Sequence, residues 1–135
     1  MSKKLKMEQQ TKKAIKNLEK RSKEIYEYSL RLIKSLEIDD LNFINNSKLF
    51  MAYADPKFTL DEIYNVYEKY IVEIIMYELY FAENEEYEKA AIIKKAYELE
   101  TEMVCNFLPE INKYKNLLLL TIEETIKAYN MLREE

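Results

Sequence analysis

No glycine and no histidine occur anywhere in this chain of 135 residues, tryptophan is missing too, and there are only two prolines and one cysteine. Each absence removes something. Without glycine nothing cheaply supplies the positive-φ turns of tight hairpins and sheets, nor a phosphate-cradling loop. Without histidine the commonest general base, the commonest metal ligand and every imidazole-dependent triad are gone. A single cysteine, Cys105, builds neither an intramolecular disulfide nor a thiolate zinc site, and helical di-iron centres need Glu-x-x-His pairs that this chain cannot form. Cys105 lies two residues before Phe107 in an apolar stretch, which reads as a structural thiol. These gaps predict a chain with no enzymatic activity, no cofactor and no metal ion.

Long hydrophobic runs are also lacking. The most apolar stretch, residues 70–82, is too short to span a bilayer and carries Glu73 and Glu78, and no apolar segment follows the basic N-terminus as a secretion signal requires. With one cysteine, this predicts a cytoplasmic chain without a membrane span.

What is present favours helix. Glu, Lys, Leu and Ile dominate, lysine outnumbers arginine 18 to 3, and Asn, Ile and Tyr are abundant, a bias associated with AT-rich genomes. The expected fold class is all-α, a bundle of four or five helices with a long N-terminal helix. That helix is expected from Lys4 to Leu36, with Ile15, Leu18, Ser22, Ile25, Ser29, Leu32 and Leu36 at the alternating three- and four-residue steps of a coiled-coil seam. Asp39 and Asp40 start a short or broken helix whose apolar face would be Leu41, Ile44, Leu49 and Phe50, and Asp55-Pro56 stops it. Thr59 and Glu62 form a T-x-x-E capping box, flanked by the staple pair Phe58 and Ile63, and so predict a helix from Leu60. Its stripe of Leu60, Ile63, Tyr67, Tyr70, Ile74, Tyr77 and Phe81 is widened by Tyr64, Ile71, Ile75 and Leu79, which predicts a central helix.

Beyond the polar patch at residues 83–86 a further helix would bury Tyr87, Ile92, Ala96, Leu99, Met103 and Phe107, and periodicity leaves open whether the chain turns at the patch. Pro109 would open the last helix, with Ile111, Leu118, Ile122, Thr125, Tyr129 and Leu132 on one face and an all-round apolar stretch at residues 117–120.

Around the patch, Glu86-Tyr87-Glu88-Lys89-Ala90-Ala91-Ile92-Ile93-Lys94 resembles the UVR motif of the UvrB and UvrC excision-repair proteins, within residues 78–99. Tyr87 stands for the motif's aromatic, Ala90 and Ala91 for its alanine pair and Lys94 for its arginine, whereas Lys95 replaces its aspartate and Glu78 an apolar residue. The resemblance implies a protein-binding helical hairpin turning near Asn84. A magnesium site of the helical nucleotide-pyrophosphatase kind is only half present: Glu85-x-x-Glu88 exists, but every aspartate lies upstream of it. The acidic patch reads as a solvated face.

Two surfaces remain. Twelve tyrosines exceed what one small core needs, and Tyr64, Tyr67, Tyr70, Tyr77, Tyr80 and Tyr87 are candidates for contact with a protein partner or a second copy. Residues 1–23 form a basic arm with nine Lys or Arg against two Glu, a net of +7, ahead of a body (24–135) with a net of −11. Before Ala14 this arm has little to bury and frays unless bound. Its Lys12, Lys13, Lys16, Lys20, Arg21 and Lys23 are candidates for phosphate contacts with nucleic acid, or for docking on the acidic body of another copy. The expected function is a protein–protein interaction module, an adaptor, inhibitor or assembly subunit of the size and composition seen in phage or mobile-element proteins. The alternative is a nucleic-acid-associated protein.

Overall fold

The backbone between Lys3 and Ile38 forms one unbroken helix, α1, so the basic arm and the first helix of the body are a single element. The computed structural model describes residues 3–53 and 59–134, with the side chains of residues 5, 9, 18–50 and 59–132. After α1 come α2 (Asp40–Asn46), α3 (Lys48–Tyr53), α4 (Leu60–Glu83), α5 (Tyr87–Phe107), a 3₁₀ helix over Pro109–Tyr114 and α6 (Lys115–Glu134), with no strand among the described residues. The four long helices make the expected all-α bundle, and α2 and α3 are the expected broken short helix.

Local chemistry sets the helix ends. Asp39 caps α2, accepting from the Asn42 backbone N–H at 2.7 Å, and Ser47 opens α3 by accepting from the Phe50 N–H at 3.3 Å. Thr59 caps α4 through the Glu62 N–H, while the Glu62 carboxylate takes the Thr59 hydroxyl at 3.1 Å. The Asp55-Pro56 stop and the staple residue Phe58 lie outside the described residues.

Helix α4 is central, packed against α1, α3, α5, α6 and the 3₁₀ helix. Val72, Ile74, Ile75, Met76 and Tyr77 are consecutive or nearly so and all buried, which only a helix wrapped on most sides permits. Each such side chain contributes about 1.5–3 kcal/mol of apolar burial. In α1 the expected seam holds at Leu18, Ile25, Ser29 and Leu32, all buried. Ser29 satisfies itself by donating to the Ile25 carbonyl at 3.0 Å.

Three expectations are corrected. Helix α5 is rotated from the expected stripe: it buries Ala90, Ile93, Ala96, Glu100 and Val104, leaving Tyr87 and Phe107 exposed at its ends. The inward face is set by a polar residue, Glu100, which an apolar count passes over. In α2 the buried residue is Phe43, and Leu41 is exposed because a helix of about two turns presents only one side to α1. Pro109 opens a 3₁₀ helix, and α6 starts six residues later at Lys115.

The chain turns between α4 and α5. Glu85 has φ of 62°, with its N–H donating to the Ala82 carbonyl at 3.1 Å and the Glu86 N–H to the Phe81 carbonyl at 2.8 Å, the two bonds of a Schellman cap. Glycine is the usual occupant of that left-handed position, and in a chain without glycine Glu85 carries a backbone cost of about 1 kcal/mol. Glu85→Gly is therefore expected to stabilise the fold by about 0.5–1 kcal/mol, read as a higher midpoint in urea unfolding. A lower midpoint would contradict it.

Candidate functional site

The most concentrated polar chemistry is inside the bundle. Glu100 of α5 is fully buried, although its neighbours one turn away, Ala96 and Val104, belong to an apolar stripe. Three elements bring hydroxyls to it. Tyr28 of α1 donates to Glu100 Oε2 at 3.1 Å, and Ser47, from the junction of α2 and α3, donates to the same oxygen at 2.7 Å. The Tyr70 hydroxyl of α4 lies against Glu100 Oε1 and also 3.2 Å from the Tyr28 hydroxyl. The Lys48 backbone N–H donates to the Tyr28 oxygen at 3.0 Å.

Counting hydrogens favours a neutral cluster. Four contacts join Glu100, Tyr28, Tyr70 and Ser47, and each needs one hydrogen. The three hydroxyls supply one apiece. An ionised Glu100 supplies none, which leaves one contact empty, because Tyr70 cannot give its single hydrogen to both Glu100 and Tyr28. A neutral Glu100 supplies the fourth: its acid proton goes to Tyr70, Tyr70 donates to Tyr28, and Tyr28 and Ser47 donate to Oε2. Burial works in the same direction, raising the Glu100 pKa against the lowering effect of its hydrogen bonds and of Lys48. Burial also raises the Tyr28 and Tyr70 hydroxyls, which keeps both protonated.

The same construction recurs around it. Tyr97 donates to Glu78 at 2.9 Å, Tyr64 to Glu68 at 2.8 Å and Tyr129 to Glu83 at 2.6 Å, while Tyr67 donates to Thr101 at 2.7 Å. Tyrosine tips thus end mostly on glutamates of neighbouring helices or turns. Tyr77 is the exception, a fully buried residue whose hydroxyl has no hydrogen-bond partner among the described atoms.

This interior takes up several of the tyrosines expected at a contact surface. Tyr64, Tyr67 and Tyr77 are buried in the core and can touch no partner; Tyr64 stacks on Tyr114 with ring centres 4.3 Å apart. Tyr70 is held in the Glu100 ring, and Tyr80 is half-buried with its ring edge against Phe81. Only Tyr87 stands mostly in solvent. Of the phosphate-contact candidates, Lys20 and Lys23 are exposed, and Arg21 is engaged by Glu73 at 2.6 Å and Glu24 at 3.6 Å. The side chains of Lys12, Lys13 and Lys16 lie outside the described residues. Cys105 is half-buried, and burial raises its thiol pKa. Among the described residues no three Cys, Asp or Glu side chains converge as metal ligands, and no helix is long and apolar enough to cross a membrane.

Grooves on the described outer surface are shallow. One of about 340 Å³ runs along α1 between Glu27 and Ile38, and one of about 370 Å³ is lined by residues 85–89 at the α4–α5 turn. Each is walled by a single local stretch, so neither encloses a ligand. The exposed apolar side chains concentrate on α6, where Leu117, Leu119, Leu120 and Met131 face outward while Leu118, Thr121, Thr125, Ala128 and Tyr129 face the bundle.

Glu100 and Tyr77 give opposite expectations. Glu100→Gln keeps a neutral, hydrogen-bonding side chain and should cost about 1 kcal/mol at most, whereas Glu100→Ala leaves three hydroxyls and a cavity and should cost about 3 kcal/mol or more. A carboxyl whose folded pKa is raised contributes stability that is complete below the ordinary value of 4.5 and is lost as pH rises through the folded value. The stability of the native chain relative to Glu100→Gln should therefore fall as pH increases from 4.5 upward, measured by urea unfolding; a rise of that relative stability with pH would contradict a neutral Glu100. Tyr77→Phe removes an unbonded hydroxyl and should leave stability unchanged or raise it, while Tyr70→Phe should lower it by about 1–2 kcal/mol.

Scans against protein-family models, curated proteins and solved structures found no match to this chain, so the likeness of residues 78–99 to the UVR hairpin rests on those residues alone.

Proposed function

We propose that this chain is a non-enzymatic interaction module that offers the outward face of α6 to a protein partner. The observation that carries this reading is the exposure of Leu119, Leu120 and Met131, 51%, 50% and 52% respectively, on the side of α6 away from its packed face. Apolar side chains clustered on one face mark contact surfaces more often than scattered ones do. The polar interior supports it from the other side. Glu100, Glu78 and the tyrosines around them bond to one another, and Glu100 sits where no substrate reaches. Adaptor, inhibitor and assembly subunit are all roles that such a module fills.

The test is affinity capture from the native host with the full chain and with a Leu119→Lys, Leu120→Glu variant. A protein retained by the first and lost by the second is expected; identical captures from both would contradict the reading. A second reading, nucleic-acid binding by the first 23 residues, is favoured by their net charge of +7 alone. It requires DNA or RNA binding that weakens steeply with salt.

A further inference from the structure

Resting on the second reading above and extending it past the N-terminal arm, we propose that the outward face of α1 from Lys12 to Lys34 is a docking ridge for the phosphate backbone of double-stranded DNA. The buried seam of α1 runs through Leu18, Ile25, Ser29 and Leu32. At about 100° per residue, the positions within about 50° of the direction opposite that seam form one continuous stripe along the helix. Between Lys12 and Lys34 there are nine such positions, and seven of them are Lys or Arg. Lys20, Lys23, Arg31 and Lys34 are exposed on it, and the unbroken backbone of α1 carries Lys12, Lys13 and Lys16 in the same register. Glu27 is the single acid among the nine, in the widest interval, between Lys23 and Arg31. Glu19 and Glu24 lie about 20° outside the two edges of the stripe, and Arg21 engages Glu24 at 3.6 Å.

The overall charge of the chain does not produce this alignment. Residues 24–135 have a net charge of −11, yet Arg31 and Lys34, which belong to that acidic body, fall in line with the lysines of the arm. No ion pair holds Lys20, Lys23 or Lys34 among the described residues, and Arg31 rests 5.9 Å from the centre of the Tyr28 ring. From Lys12 to Lys34 the helix rises about 33 Å, close to the roughly 34 Å of one duplex turn. Composition chooses among the occupants. Protein interfaces anchor on aromatic and apolar groups and are poor in lysine, whereas the ridge offers only the half-buried Leu30 among its charges. Single strands are gripped by stacking bases on aromatic rings, and no aromatic residue lies in the stripe. A line of cations without stacking or base-reading groups fits duplex phosphates, whose counterions it displaces.

The test is fluorescence anisotropy of a labelled DNA duplex of about 20 base pairs, titrated with the full chain over a range of salt concentrations, beside a single strand of the same length and polyglutamate. Circular dichroism confirms that each variant is folded. The duplex is expected to bind without sequence preference and more tightly than the single strand. Arg31→Gln with Lys34→Gln should weaken it and reduce the slope of log affinity against log salt by about 0.9 for each cation removed. Lys20→Gln with Lys23→Gln should do the same, while Lys69→Gln with Lys95→Gln, exposed lysines off the ridge, should change neither. Duplex binding indifferent to Arg31→Gln with Lys34→Gln overturns the ridge and leaves the reading of the first 23 residues standing, whereas no duplex binding at low salt overturns both. Equal losses from the off-ridge pair would reveal diffuse attraction and overturn it too. A single strand bound as tightly as the duplex, or polyglutamate bound through the same residues in its place, contradicts the assignment to duplex DNA.

Discussion

A single buried carboxyl, Glu100, ties together four elements at one point in the core. Tyr28 brings α1 to it, Ser47 brings the α2–α3 junction and Tyr70 brings α4, while Glu100 itself belongs to α5. Apolar packing alone tolerates small slides of one helix along another, since a leucine fits many holes about equally well. A hydrogen-bonded ring does not tolerate them, because a shift of one residue, about 1.5 Å along a helix, leaves a buried donor or acceptor empty. Register among these elements is thus fixed by a few oxygen atoms. A neutral Glu100 completes the ring, because a carboxylate there would lack one hydrogen for the four contacts.

Tyrosines carry most of the remaining polar contacts inside the bundle, among a largely aliphatic core. Their rings fill core volume and their hydroxyls reach the rim, where Glu68, Glu78 and Glu83 receive them. A bundle built this way holds polar contacts at its helix interfaces without tryptophan. It also spends its tyrosines inward. The outward surface is left to lysines, glutamates and a few aliphatic side chains, of which those on α6 form the clearest group, and that division carries the functional reading.

The fold was largely legible from residue spacing. The α1 seam, the Thr59 cap, the central position of α4 and the buried face of α6 are all written in three- and four-residue steps that survive in the structure. Helix α5 was not, because its inward face passes through Glu100, and a charged residue type in an apolar stripe looks like a break in the stripe. The usable signal was there: Ala96, Glu100 and Val104 share a face, and an acid so placed needs donors from its neighbours. The tyrosines misled in the opposite sense, since a count of twelve says nothing about where their hydroxyls end. Pairing them with the glutamates across the helices requires knowledge of the bundle's geometry. The turn at Glu85 was ambiguous for a simple reason, as the residue that normally announces a helix stop, glycine, does not exist in this chain.

Infrared difference spectroscopy between the native chain and Glu100→Gln reads the protonation of that one carboxyl directly. At a pH where exposed glutamates are already ionised, a carbonyl band of a protonated carboxylic acid, present in the native chain and missing from the variant, is the expected result. A carboxylate band in its place would show that Glu100 is charged inside the bundle, and the ring that holds the four elements in register would have to be drawn again.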